Sequence, residues 1–201
     1  MIRLLRKARW LFLIVLVIAS VFRVSLFAAT QSADARLWEG LADGRYVAVM
    51  RHALAPGVGD PDNFTLGDCS TQRNLSESGR EQAKAIGDVM RAQGVTEARV
   101  YSSEWCRCLE TAEGLAFTAV TPKPALNSFF QRRAASEEQT QSLREFLRTE
   151  RNTHEPLVLV THQVNITALT GVFPASGEIV VIGMNEAGDV EVKGRLKPVS
   201  G

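Results

Sequence analysis

The sequence predicts an α/β fold, a mostly parallel central sheet with helices on both faces. Three observations predict it. Tyr46–Met50 and Leu157–Thr161 are short apolar runs of the kind buried on both faces of a sheet, and Ala98–Ser102 is a third strand candidate. Segments with helical spacing separate them, and two strand-like segments around a tight turn close the chain. With 201 residues, 45% hydrophobic and 22% charged, the chain can bury a core and is neither disordered nor polytopic. No repeat or low-complexity tract interrupts it.

The chain opens with Arg3, Arg6, Lys7 and Arg9 and no acid, then an apolar run from Trp10 to Phe22 broken only by Ser20. Arg23 and the small residues Ala28 and Ala29 follow. A basic start, a short apolar run and small residues describe a secretory signal. Residues 10–22 are fewer than the ~20 needed to span hydrocarbon, although Arg23 snorkelling would permit an anchor. Residues 1–29 are therefore expected to be a signal peptide or N-terminal membrane anchor, and residues 40–201 the domain. The charge pattern places that domain in the periplasm or another extracytoplasmic space; if uncleaved, residues 1–29 anchor it to the inner membrane and are its one membrane contact.

Tyr46–Met50 is the first strand, followed by a Gly/Pro/Asp-rich loop from Ala55 to Cys69. Ser76 N-caps a helix that puts Ala83, Ile86, Val89 and Met90 on one face and ends near Gly94. Ala98–Ser102 precedes a helix from about Glu104 to Leu115, and Ser136–Arg151 forms a helix with Leu143, Phe146 and Leu147 inward. Leu157–Thr161 leads to a short helix over Asn165–Gly171. Glu178–Met184 and Val190–Leu196 flank the turn Asn185–Asp189 as an edge hairpin.

Net charge excludes one large class. Twenty-three basic against 22 acidic residues give no electrostatic footprint for nucleic acid. Loss of residues 1–29 removes five basic residues and no acid, leaving 18 against 22 and a net charge of −4.

Ligands of such sheets bind beyond the carboxyl ends of the strands. Arg51-His52 follow the first strand, Ser102-Ser103 end the second with Arg107 one helical turn on, and Thr161-His162 end the third. Singly, each residue has an ordinary structural role. Together they suit phosphoryl transfer: guanidinium forks match phosphate oxygens, and a neutral imidazole can attack phosphorus. A second histidine and the arginines then stabilise the transition state. No cofactor is expected, and no metal, since the histidines lack ligand spacing. The expected partner is a small phosphorylated substrate.

These residues lie in four segments: Val49-Met50-Arg51-His52-Ala53, Leu75–Ala83, Tyr101–Ala112 with Ser-Ser-x-x-x-Arg-x-x-x-Thr-Ala, and Val160-Thr161-His162. In this order they resemble the histidine phosphatase superfamily (phosphoglycerate mutase-like). The resemblance implies a three-layer α/β/α sandwich. It also implies that His52 is phosphorylated and that Arg51, Arg107 and His162 complete the phosphate pocket. Among exported members, phosphorylated envelope sugars such as a lipopolysaccharide core heptose phosphate are one substrate class.

The chain departs from the family pattern in three places. Ala53 stands where Gly is usual; Gln163 follows the second histidine; and Leu126-Asn127 leads to Ser128-Phe129-Phe130 without the glutamate of the mutase branch. A missing general acid favours good leaving groups or another donor, for which Glu104, Glu137 and Glu138 are candidates. A non-catalytic phosphoryl-ligand binder and a sugar-phosphate mutase are the alternatives; the mutase conflicts with the signal segment and the missing glutamate. Asn63, Arg73 and Asn74 lie on the expected substrate side, with Arg73 suited to a second anionic group. Phe129-Phe130 pack into the core or form an apolar wall.

Cys69, Cys106 and Cys108 suit an oxidising compartment. Residues two apart on a helix point to different sides, so a bridge from Cys69 joins either Cys106 or Cys108 and leaves the other free.

Overall fold

The computed structural model describes residues 33–117, 119–150 and 155–197. The export segment, residues 1–29, lies outside them. The chain divides into two units, Met1–Arg36 and Leu37–Gly201, and the architecture below is that of the second.

Helix α1, of which residues 37–42 belong to this unit, leads into strand β1 (Val47–Arg51). Then come α2 (Glu77–Ala92), β2 (Arg99–Ser102), α3 (Cys106–Gly114), β3 (Val120–Pro122), α4 (Ser136–Glu150), β4 (Leu157–Thr161), α5 (Gln163–Thr170), β5 (Ile179–Met184) and β6 (Val190–Leu196). The sheet order is β3-β2-β4-β1-β5-β6. β1, β2, β3 and β4 run parallel, and the β5–β6 hairpin adds antiparallel to β1.

Strand alternation builds the three layers. Ala48 and Met50 face a core with Ile86 and Met90 of α2 and Cys108 and Ala112 of α3. Val47 and Val49 face the opposite core, with Leu143, Phe146 and Leu147 of α4 and Ile166 and Leu169 of α5. Both faces of β1 and β4 are covered, so apolar continuity, not alternation, marks them in the sequence.

Ser76 caps α2 as expected, its side chain accepting from the Gly79 amide at 3.1 Å. Two glycines then permit close packing. A Cβ on Gly79 would lie 2.1 Å from the Leu54 carbonyl oxygen, and one on Gly87 2.2 Å from that of Leu115. α2 thereby seats against the loop leaving His52 and against the end of α3.

Two helix starts and one added strand differ from the sequence expectation. α3 starts at Cys106, because Glu104 and Trp105 donate their amides to Asn127 Oδ1 and Ser103 Oγ and stay extended. α5 starts at Gln163, directly after His162. Edge strand β3 has three residues ending in Pro122, too short to show a period, and proline is tolerated only at such an edge. Among the described residues no helix is long and apolar enough to cross a membrane.

Candidate active site

β1, β2 and β4 are parallel neighbours, so their carboxyl ends share one edge of the sheet. Arg51 ends β1, Ser102 ends β2 and Thr161 ends β4. The residues that follow converge. Arg51, His52, Arg73, Arg107, His162 and Gln163 line one pocket of about 390 Å³.

His52 is buried, and its amide donates to the Thr161 carbonyl at 3.0 Å. Its ring Nδ1 lies 2.8 Å from the Ala53 carbonyl oxygen. A carbonyl only accepts, so Nδ1 carries the proton and Nε2 keeps its lone pair. Burial, and then the charge of Arg107, push the His52 pKa down to about 3. The ring is thus neutral and fixed in the tautomer a nucleophile needs. Ala53 fits where glycine is usual because its φ is not positive, and its amide donates to Thr111 Oγ1 at 3.0 Å.

His162 faces His52 edge-on, ring centroids 5.6 Å apart. Its Nε2 lies 2.8 Å from Ser103 Oγ, which in turn donates to Asn127 Oδ1 at 3.2 Å. Trp105 packs edge-on against the ring at 5.4 Å. Burial first, then Arg107, hold its pKa well below the ordinary histidine value. A bound phosphoryl dianion opposes that effect and favours the protonated ring.

Three guanidinium groups stand around the histidines. Arg51 donates Nη1 to the Pro174 carbonyl at 3.1 Å, and its buried Nε has no partner. Arg73 donates Nε to Gly59 O at 2.8 Å and Nη1 to Ala55 O, pinning the loop over the pocket. Burial and neighbouring Arg107 lower the Arg73 pKa to about 10. Arg107 is buried and paired: Nη1 and Nη2 meet Asp60 Oδ1 and Oδ2 at 2.6 and 3.1 Å, and Nη1 also reaches Arg73 O at 3.1 Å. Its buried Nε has no partner. Asp60 therefore holds one end of the guanidinium and leaves the Nε edge for a ligand oxygen.

The sequence reading missed Asp60. Trp105 Nε1 and the Arg73 amide also donate to it, at 3.0 and 3.1 Å. Burial alone would raise its pKa, but these donors and Arg107 hold it below the ordinary aspartate value. It is the only carboxylate among the described residues lining the pocket. Four arginines, Arg51, Arg73, Arg107 and Arg133, against this one anion leave the pocket suited to an anionic ligand.

The structure corrects other expectations. Asn63 does not line the pocket: Phe64 turns inward to stack on Trp105 at 5.0 Å, leaving Asn63 exposed. Asn74 instead donates to Cys69 O at 2.7 Å. Glu104 accepts from Asn127 Nδ2 at 2.6 Å outside the lining, and Glu137 and Glu138 sit in the first turn of α4, away from it. Phe129 is core, whereas Phe130 lines the pocket. Cys69 pairs with Cys106, and Cys108 is free and buried.

Comparison with known proteins bears on the family and the fold. The family described as histidine phosphatase superfamily (branch 1) matches residues 49–131. No curated protein sequence matches significantly. The protein histidine phosphatase SixA, solved with tungstate, is similar at 18% identity and TM-score 0.52, over 76% of this chain and 97% of that one. Entamoeba histolytica phosphoserine phosphatase with 3-phosphoglyceric acid is similar at 13% and 0.54, over 75% and 95%. Mycobacterial glucosyl-3-phosphoglycerate phosphatase is similar at 16% and 0.51, over 74% and 96%. At these identities the solved structures establish a shared fold.

Proposed function

We propose that the chain is a member of the histidine phosphatase superfamily, whose branch 1 family matches residues 49–131, and that it hydrolyses small phosphomonoesters through a phosphohistidine on His52, in an extracytoplasmic compartment. One observation carries the reading: His52 Nδ1 is committed to the Ala53 carbonyl, so the free Nε2 is a neutral nucleophile in a pocket lined by four arginines.

In the first step Nε2 forms a bond to phosphorus while the bond from phosphorus to the ester oxygen breaks. The leaving group departs as an alkoxide or phenoxide and takes a proton from water or the site. Arg51, Arg107 and a protonated His162 spread the charge on the equatorial oxygens. Water then attacks phosphorus, the P–N bond breaks and inorganic phosphate leaves. The charge is borne by side chains, so the step needs no metal. Asp60 is held as a carboxylate and is not a poised acid, which favours substrates with good leaving groups.

That same observation favours a second reading, a phosphoryl-ligand binder without turnover. Rapid-quench mixing with p-nitrophenyl phosphate separates the two. Acid-labile phosphate on His52, found by mass spectrometry and abolished by His52→Ala, is expected. Absence of label with every reactive ester sinks the enzyme reading.

A further inference from the structure

The pocket lining includes three exposed apolar side chains alongside the charged Arg133. Val58 is 87% exposed, Phe173 68% and Phe130 37%, and all three line the pocket that holds His52. They come from three separate loops. Val58 sits between Gly57 and Gly59, whose φ values of 93° and 71° form a tip that displays it. A Cβ on Gly59 would lie 3.8 Å from Phe130 Cε1, so the tip and the Phe130 loop are neighbours. Arg133 lies over the Phe130 ring, Cζ to centroid 4.8 Å.

The rim is tied to the phosphate-binding groups. Arg73 holds Ala55 and Gly59, on either side of Val58, and Arg51 holds Pro174, next to Phe173. The cations fix the anionic end of a ligand, and the same loops present apolar surface where the other end emerges. Isolated exposed apolar side chains are ordinary, but a cluster around a charged pocket marks a binding surface.

We propose that the preferred substrates are phosphomonoesters with an apolar leaving group, seated against Val58, Phe130 and Phe173. This rests on the proposed phosphatase reading. It is distinct from the envelope-sugar substrates that the family resemblance suggests, whose polar leaving groups gain nothing from these three apolar side chains.

The test uses the full chain and phenyl phosphates bearing para-alkyl groups from hydrogen to butyl, whose leaving-group acidity hardly changes. The matching phenylphosphonates, which do not turn over, report affinity by calorimetry. Affinity and kcat/KM are expected to rise about two- to fourfold per methylene. A para-hydroxyethyl member should show no such gain. Val58→Ser with Phe173→Ser should flatten the series in both affinity and kcat/KM.

A flat phosphonate series overturns the inference, whether or not the esters are hydrolysed. A rising phosphonate series without turnover or phosphohistidine supports the rim and overturns the phosphatase reading. Concentration-dependent dimerisation in sedimentation, abolished by the two serine substitutions, would make the rim an interface between copies and overturn the inference.

Discussion

Asp60 and Arg107 are nearly completely buried side chains whose charges meet at 2.6 Å. All of Asp60's neighbours there are donors: the Arg107 guanidinium, the Trp105 indole and the Arg73 amide. An asparagine amide would present N–H groups to some of these donors and leave Arg107 uncompensated. Asp60→Asn is expected to lower kcat/KM by about 10²-fold, through Arg107 misplaced against the phosphoryl group. It should also cost about 3–5 kcal/mol of stability, as broken buried pairs do. Steady-state kinetics and urea unfolding measure both, with Asp60→Glu expected to recover part of kcat/KM. Lost stability with unchanged kinetics would make Asp60 purely structural. At this scale Arg51, His52, Arg107 and His162 were legible because strand ends are readable and their side chains have few other uses together. Asp60 was not, since an aspartate in a Gly/Pro-rich loop is by default solvated, and only the fold brings it to a buried arginine 47 residues away. Asn63 failed for the converse reason: inward packing of Phe64 decides which residue of the loop faces the pocket.

Among the elements, the short turn Cys69–Thr71 and the first residue of α3 are joined by the Cys69–Cys106 disulfide. The bridge closes a loop of sequence separation 37 that contains Arg73 and all of α2. Loop-closure entropy for that length corresponds to about 4 kcal/mol. The Cys69→Ser, Cys106→Ser double variant should unfold at lower urea by about 2–4 kcal/mol, a loss also produced in the parent by reductant. The long helices were legible from their apolar spacing and the Ser76 cap, and the final hairpin from its turn. The partner of Cys69 was not, because residues 106 and 108 differ only in which side of α3 they face. The start of α5 at Gln163 was also hidden, as nothing local in Thr161-His162 marks the residue where strand gives way to helix.

For the molecule as a whole, alternation of strand and helix predicted the layers, but the order β3-β2-β4-β1-β5-β6 follows from how crossovers pass over the sheet and has no local signature. Charge is likewise distributed at this scale: a net −4 outside residues 1–29 surrounds a cationic pocket. The proposed export is checked by fractionating cells that express a C-terminally tagged full chain. Recovery in the periplasm or envelope is expected, and a cytosolic, uncleaved product rules it out. Oxidation of an exported chain with three cysteines allows three pairings, of which the native fold keeps one. Cys108 ends fully buried beside His162, its thiol pushed up to about 12 by burial against the opposing pull of Arg107. Thiol–disulfide exchange needs a thiolate, and burial keeps this group as the thiol at neutral pH. Folding therefore retires the spare nucleophile, and the correct pairing is protected from reshuffling by the same core that supports the histidine.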